Sequence, residues 1–522
     1  MSKKDRKRIK VTYSTLSSPD PLLHEYFEED VAEAKANFGK SYPMYINGEW
    51  VNAKNTFDKV SPVNTDWVVG TFPEASAADI DTAVKAAKAA YPAWKQTPWQ
   101  ERVELLNQVA DLISSRLFEI AAVLSLEVGK NRLEAIGDVE ETADLIRYCT
   151  QSMVDNNGFI KDLLNESDHH HNRSVLKPYG VWAVISPFNF PAALSGGPAG
   201  AALVTGNTVV HKPAADAPLT TYMLAQCFHD AGLPKGVYNM VSGNDEPGKA
   251  LVANPGVDGL TFTGSYNVGM SILRNFAAAG DFARPVVLEM GGKNPTIITN
   301  KADIDKAATG VMRSAFGLTG QKCSACSRVY VHKDVKEAFT QKLVELTNQI
   351  KVGDPTEKDV FMGPIINKEA YEAYQKYIAD IQGKGDILTG GKTLDESGYY
   401  IAPTVVDNLA KDHYLWKHEM FAPVVTIEAY EDAEATMAEA NDVTFGLTAG
   451  FFSEDDAEVE WFLDNIQAGV LYVNRATGAT TGAWPGYQSF GGWKGSTGTG
   501  KAAGSFYYLQ QYMHEQSQTV VS

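Results

Sequence analysis

The stretch "GLTGQKCSACSR" at residues 317–328 places Cys323 three positions before Cys326, among glycines and serines. Such a pair can form a redox disulfide, supply half of a zinc site, or hold one nucleophile beside a packed neighbour. A thioredoxin-like pair belongs at a helix N-terminus early in a βαβ unit, whereas this one follows a long strand–helix series. Structural zinc needs a second pair of ligands, but Cys149 and Cys227 are isolated and the histidines at 169–171 fall in a polar stretch. No metal set is expected. A lone cysteine is most often a small buried hydrophobe, so the nucleophile reading needs a base and a means of holding charge.

Candidates for both are present. In "VVLEMGGKNP", Glu289 ends an apolar run directly before Gly291 and Gly292. A half-buried carboxylate there has a raised pKa and makes a better base, although alone it reads equally as a solvated strand end. In "ISPFNFPAA", the Asn189 amide can donate to an oxyanion, or can be an ordinary turn asparagine. Lys212 in "HKPAADAP" follows an apolar run, and "FTGSYNVG" sets Gly264 and Ser265 where a helix opens after a strand. Backbone amides at such a point can meet a pyrophosphate. Gly264 and Gly269 do not make a GxGxxG pattern, so the dinucleotide signal is weak by itself.

These residues need elements to hold them. The chain has 522 residues, which implies two or three domains, and a net charge of −18 spread along its length. Nucleic acids and anionic membranes demand a basic footprint, so neither is expected as a partner. The one basic cluster, at residues 3–10, reads as a solvated N-terminus, and no apolar run reaches membrane-spanning length. Four cysteines are too few for a disulfide scaffold, and a reducing, cytoplasmic setting follows. Residues 45–70 read as short strands, with Asn47-Gly48 as a hairpin turn. Helical periodicity runs from Asp79 to about residue 155 in four segments. Beyond residue 175, "GVWAVIS", "NTVVHKP", "GVYNMVSG", "GLTFTGS" and "RPVVLEM" alternate with helices, and a second such series begins near residue 295. Alternation of this kind implies two mostly parallel sheets in an α/β protein, divided near residue 288. The tail "HEQSQTVV" reads as a final strand seeking a partner.

Taken in order, "SPFNFP", "HKPAADAP", "FTGS", "LEMGGKNP", "GQKCS", "EMFAP" and "SFGGWKGS" resemble the aldehyde dehydrogenase superfamily from about residue 43 to the C-terminus. "YPMYINGEWV", "NR" at 474–475, "TTGA" and "GKAAGSFYYL" are most similar to the branch that oxidises glutamate γ-semialdehyde. The resemblance implies a Rossmann-type NAD(P)-binding domain (1–156 and 179–288), an α/β catalytic domain (289–485), and a β oligomerisation flap with a C-terminal substrate-anchor tail (157–178 and 486–522). A homodimer or dimer-based assembly is implied with it.

The resemblance also assigns roles. Cys323 attacks the aldehyde, Asn189 and the Cys323 N–H hold the oxyanion, and Glu289 activates water. Ser186, Lys212, Ala215, Gly264, Ser265, Glu419 and Phe421 fall at cofactor positions. Glu141, Phe190, Ser324, Gly504, Ser505 and Tyr512 fall at substrate positions, with the register of the 504–505 loop open by one residue. Ala215 replaces the glutamate that disfavours a 2′-phosphate, so NADP is expected to be tolerated alongside NAD. The lengthened "NRATGATTGAWPGYQSFGG" is expected to bring a tryptophan to the substrate mouth, which keeps open a broad or aromatic-aldehyde specificity. A retired structural relative is disfavoured by the intact Cys323, Glu289 and Asn189. Transfer to coenzyme A is disfavoured by Glu289. Cys326 reads as a packed neighbour, with a protective disulfide to Cys323 as the alternative.

Overall fold

Apolar runs such as Val181–Ile185 can be buried along their whole length only in a sheet covered on both faces. The structure, a computed structural model, describes residues 6, 7, 9–12, 15–17, 19–277, 279, 281–395 and 397–522. Strands Val286–Glu289, Gly259–Thr263, Val181–Ile185, Thr208–Lys212 and Tyr238–Met240 lie side by side in that order, all parallel. The hairpin Met44–Ile46 and Glu49–Val51 adds an antiparallel edge. It turns at Asn47 and Gly48 with φ of 54° and 78°, the two positive values that a tight hairpin turn requires.

The four expected helices form as Ala77–Trp94, Trp99–Ser115, Leu117–Val128 and Arg132–Asp155. Their ends are written locally. Ser76 and Asp79 make a reciprocal capping box, Gly129 ends the third helix at φ 88°, and Asn131 accepts from the Glu134 N–H to open the fourth.

Strand order in this sheet reverses between Val181–Ile185 and Gly259–Thr263, and open α/β sheets bind ligands at the C-terminal strand ends beside such a switch. Ser186, Lys212, Gly264 and Glu289 all stand at or just past those ends. A second sheet runs Asp386–Thr389, Thr404–Asp407, Val424–Tyr430, Cys326–His332, Asn294–Ile298, Thr448–Phe452 and Val470–Val473. All its pairs are parallel except the first. The chain leaves the first sheet at the C-terminal end of Val286–Glu289 and enters the second at the N-terminal end of Asn294–Ile298, so the two sheets meet across Met290–Lys293.

A third, smaller sheet pairs Met513–Val521 with His170–Pro178 along nine residue pairs, and adds Ile160–Asp162. The tail strand thus finds its partner within its own chain. This sheet is mostly exposed, with Val521 at 65%, and Leu164 in the loop that joins two of its strands is 94% exposed. Residues 486–498, assigned above with the tail, lie elsewhere. Trp493–Lys494 pairs with Phe445–Gly446, and Thr497 bridges to Glu289. Part of the basic 3–10 run lies outside the described residues. Arg6 within it is not solvated: it pairs with Asp30 at 2.6 Å and Glu29 at 2.8 Å on the helix Pro21–Ala36. Among the described residues no helix is long and apolar enough to cross a membrane.

Close approach at the crossing requires glycine. A Cβ on Gly292 would stand 2.3 Å from the Cys323 carbonyl oxygen, and one on Gly291 would stand 2.1 Å from a Glu419 carboxylate oxygen. Gly292→Ala is therefore expected to cost about 1–3 kcal/mol of stability through overpacking and to lower activity sharply. Gly248→Ala is the control, because its Cβ would meet nothing closer than 3.9 Å and a mid-helix glycine gains about 0.5–1 kcal/mol as alanine. Thermal unfolding of the two variants checks both.

Candidate active site

Cys323 lies in a loop between the helix Ile304–Phe316 and the strand Cys326–His332. The loop is held in an unusual backbone path. Leu318, Thr319 and Gly320 take φ of 49°, 56° and 68° in succession, a conformation that non-glycine residues adopt at a cost and keep only when their surroundings enforce it. The enforcement is visible. Glu134 accepts the Leu318 N–H at 3.1 Å and pairs with Lys322 at 2.7 Å, and the Thr319 hydroxyl donates to the Gly363 carbonyl at 2.9 Å. Gln321 is locked on both ends of its amide, by the Ile366 N–H and the Leu318 carbonyl. On the far side of the loop, Asn294 donates to the carbonyls of Cys323 at 2.7 Å and Ala325 at 2.9 Å.

Three of the expected groups converge on this loop. Asn189 is buried and its Nδ2 donates to the Gln321 carbonyl at 3.0 Å, two residues before the nucleophile. Glu289 and Glu419 both act electrostatically on Cys323. Burial pushes the Cys323 thiol up to about 12, with the two carboxylates adding to it, while the Ser324 and Cys323 N–H groups favour the thiolate. Burial likewise raises Glu289 to about 8, opposed only by the Thr497 hydroxyl at 3.5 Å. Its Oε2 has no hydrogen-bond partner among the described residues. A buried carboxylate left half unpaired is costly, and this one has an acceptor to offer an incoming molecule.

Cys326 faces the other way. It is buried in the apolar cluster under the second sheet, with Sγ 3.2 Å from the Thr296 hydroxyl, and both cysteines are free thiols. The packed-neighbour reading fits this arrangement, and nothing in it draws Cys326 toward Cys323.

The cofactor positions gather at the strand ends of the first sheet. Burial lowers Lys212 to about 8, and its ammonium has no hydrogen-bond acceptor among the described residues, which suits a ligand hydroxyl. Ala215 sits three residues on and is half-buried. Ser265 caps the short helix Tyr266–Ile272, and the Gly264 N–H donates to the Glu289 carbonyl. Glu419 accepts the Gly292 N–H at 2.8 Å, and its carboxyl is raised to about 7 by burial. Phe421, at φ 52°, packs edge-on against Phe188 at 5.9 Å. Ser186 differs from expectation. Its hydroxyl is buried between His211 at 2.9 Å and Ser195 at 2.8 Å, a structural use inside the domain. The unpartnered ammonium, the open strand ends and the glycine approach fit a dinucleotide.

Substrate positions divide. Phe190 is half-buried with its ring face on the Lys130 ammonium, 3.6 Å away. Ser324 is buried next to the nucleophile, its carbonyl accepting from Thr480 at 2.7 Å. Glu141 is half-buried on the helix Arg132–Asp155, within electrostatic reach of Tyr472. Gly504 and Ser505 instead line a cleft of about 450 Å³ with Tyr148, Tyr487 and Trp493, and Cys323 is not among its lining residues. Tyr512 is fully buried against Trp182 and bonded to Thr261 and Tyr508, so its ring faces the core rather than a cleft. The expected tryptophan at the mouth is also turned inward. Trp484 is 4% exposed and donates to Asp144 at 2.9 Å. Both differences have one cause, since a large apolar ring with a satisfied polar atom is most stable out of water.

Sequence reading missed Asn294, Glu134, Lys130 and Tyr472, whose buried hydroxyl has no partner among the described residues. Asn294 stood inside the quoted "GGKNP". Glu134, Asp138 and Glu141 lie on one helix at spacings that put them on neighbouring faces.

Residues 50–518 match the model of the aldehyde dehydrogenase family. A curated relative, 1-pyrroline-5-carboxylate dehydrogenase of Staphylococcus epidermidis, is 38% identical over 94% of this chain and 95% of its own. A solved 1-pyrroline-5-carboxylate dehydrogenase from Thermus with bound NAD superposes with a TM-score of 0.93 at 32% identity, covering 100% of both chains. A 3,6-anhydro-L-galactose dehydrogenase gives a TM-score of 0.86 at 31% identity over 92% of this chain and 100% of that one.

The Glu289 carboxyl, raised to about 8, is a base only when ionised. A turnover step that depends on it should therefore speed up as pH rises toward about 8 and level off above that value. Below it, the rate should fall about tenfold per pH unit. Glu289→Gln should abolish the rise and leave a low, flat profile. Steady-state kcat measured from pH 6 to 9.5 on both proteins checks this.

Proposed function

This chain belongs to the aldehyde dehydrogenase family, and from that premise we propose that it oxidises L-glutamate γ-semialdehyde, the open form of 1-pyrroline-5-carboxylate, to L-glutamate in proline catabolism. The observation that carries the substrate is the likeness to 1-pyrroline-5-carboxylate dehydrogenases along nearly the whole of both chains. The enzyme is NAD-dependent. NAD, when bound, supplies the hydride acceptor, and Lys212, Glu419, Phe421, Gly264 and Ser265 are the residues that would hold it.

In this reading the Cys323 thiol releases its proton to solvent and the sulfur attacks the aldehyde carbon, forming a C–S bond while the carbonyl π electrons move to oxygen. The Asn189 amide, freed from the Gln321 carbonyl, and the Cys323 N–H stabilise that oxyanion. Loss of hydride from the same carbon leaves a thioester on Cys323. Glu289, the half-unpaired carboxylate beside the thiol, takes a proton from water, and the hydroxide adds to the thioester carbon. Collapse breaks the C–S bond, releases the carboxylate product and returns the thiolate. Cysteine suits both halves, because a thiolate attacks well and its thioester hydrolyses readily.

Glu141 is proposed to meet the substrate ammonium and Ser324 its carboxylate end, with the Phe190 ring along the aliphatic chain. The 1–156 and 179–288 segments serve as the cofactor domain and 289–485 as the catalytic domain. Exposed apolar residues on the 157–178 and 513–521 sheet support a role as an oligomerisation flap, completed by a second copy in a homodimer. Four unpaired cysteines suit a reducing, cytoplasmic site.

Steady-state kinetics with 1-pyrroline-5-carboxylate, hexanal and benzaldehyde, each with NAD and NADP, test this reading. 1-Pyrroline-5-carboxylate should give the highest kcat/KM, and NADP an efficiency no more than about a thousandfold below NAD, since no carboxylate occupies position 215. If 1-pyrroline-5-carboxylate is the poorest substrate, the semialdehyde assignment fails. Sedimentation analysis should return a dimer or a multiple of it; a monomer at micromolar concentration rejects the flap's role.

A further inference from the structure

Beneath the Asn189 loop lies an ion pair that the reaction itself does not use. Lys130 and Asp138 have side chains with no exposure at all and meet at 2.9 Å. Lys130 is the middle residue of the short connection between Leu117–Val128 and Arg132–Asp155, and Asp138 lies in the second turn of the latter helix. Both oxygens of Asp138 are committed. Oδ2 accepts from Lys130, and Oδ1 accepts from the Ala193 N–H at 2.9 Å, the first residue of the helix Ala193–Val204. The rest of the ammonium faces the Phe190 ring, 3.6 Å from its centroid. Glu134 and Lys322, the pair that braces the nucleophile loop, complete the charges around it.

An apolar pair of the same volume would be as stable or more so here, because desolvating two charges offsets their attraction. What an apolar pair would lose is direction. The contacts from Asp138 pass to Ala193 and, through Lys130, to Phe190, so they fix the backbone on the C-terminal side of Asn189. Among the described residues the Asn189 amide has a single hydrogen bond, to the Gln321 carbonyl, and that bond must break for the amide to serve an oxyanion. Its aim then depends on the backbone beneath it. We propose that Lys130 is a positioning residue: its buried ammonium, neutralised by Asp138, clamps the Phe190 ring and thereby sets where the neighbouring Asn189 amide points. A cation over an aromatic face inside a desolvated site is a stiff contact, and an oxyanion donor displaced by about 1 Å loses about a hundredfold in rate.

This inference rests on Asn189 as the oxyanion donor, and the test separates the two. Lys130→Met should slow the pre-steady-state burst of NADH about 10–100-fold, with the NAD dissociation constant within about twofold of wild type. Placed on Asn189→Ala, Lys130→Met should add less than about twofold, because its effect passes through the missing amide. Phe190→Leu should reproduce the slow burst. If Asn189→Ala alone keeps the wild-type burst, the oxyanion reading fails and this inference with it. If Asn189→Ala is slow but Lys130→Met is fast, or the two multiply, only the inference falls. Should Lys130→Met leave Asp138 unpaired and fail to fold, Lys130→Met with Asp138→Asn carries the same comparison. Should that also fail to fold, the Phe190→Leu burst decides: a wild-type rate overturns the proposal.

Discussion

Everything at this site depends on how closely two sheets approach at Gly291 and Gly292. The segment Met290–Lys293 is all that separates the C-terminal edge of the first sheet from the N-terminal edge of the second. Because neither glycine carries a side chain, the Cys323 carbonyl and the Glu419 carboxylate come within reach of the backbone. The Glu289 carboxyl at the end of one strand, the Cys323 thiol before another and the Glu419 carboxyl from a third loop therefore share one small volume. Asn294, next along, turns the same approach into two hydrogen bonds that hold the nucleophile loop.

Burial governs the charges in that volume. Burial is the first cause of the shift at Cys323, Glu289, Glu419 and Lys212 alike. Each is pushed toward its neutral form, so the unliganded site avoids isolated charges. The two carboxylates reinforce the effect on the thiol. A nicotinamide ring bound here would bring a positive charge, which in a low-dielectric site would favour thiolate and carboxylate together.

The sequence displayed the reacting groups more clearly than the groups that aim them. Glu289 stood out as a candidate because a carboxylate ending an apolar strand before two glycines is locally odd, and the structure finds it buried there. Cys323 stood out because Glu289, Asn189 and Lys212 gave it company, and the Asn189 amide does reach its loop. Helix ends at Ser76, Gly129 and Asn131 follow from rules acting over a few residues. Tyr512 and Trp484 were misjudged for a different reason. Whether a large ring turns to a cleft or to the core depends on partners such as Thr261 and Asp144, hundreds of residues away. Ser186 likewise stands at the right strand end but spends its hydroxyl on His211. Nothing local distinguishes these cases.

The helix Arg132–Asp155 shows why the aiming groups escape a local reading. It supplies no reacting atom, yet Glu134 braces the nucleophile loop, Asp138 pins the start of the helix that follows Asn189, and Asp144 seats Trp484. Successive turns of one rigid rod thus set the relative positions of loops from both domains. A rod suits the task because its residues keep fixed spacing while the loops they hold carry strain, as Leu318 and Thr319 do. Loops alone would relax that strain, and Asn189 and Cys323 would drift apart by more than the proposed chemistry tolerates. The acidic face of this helix is therefore as much a part of the site as Cys323, though it touches no reacting atom.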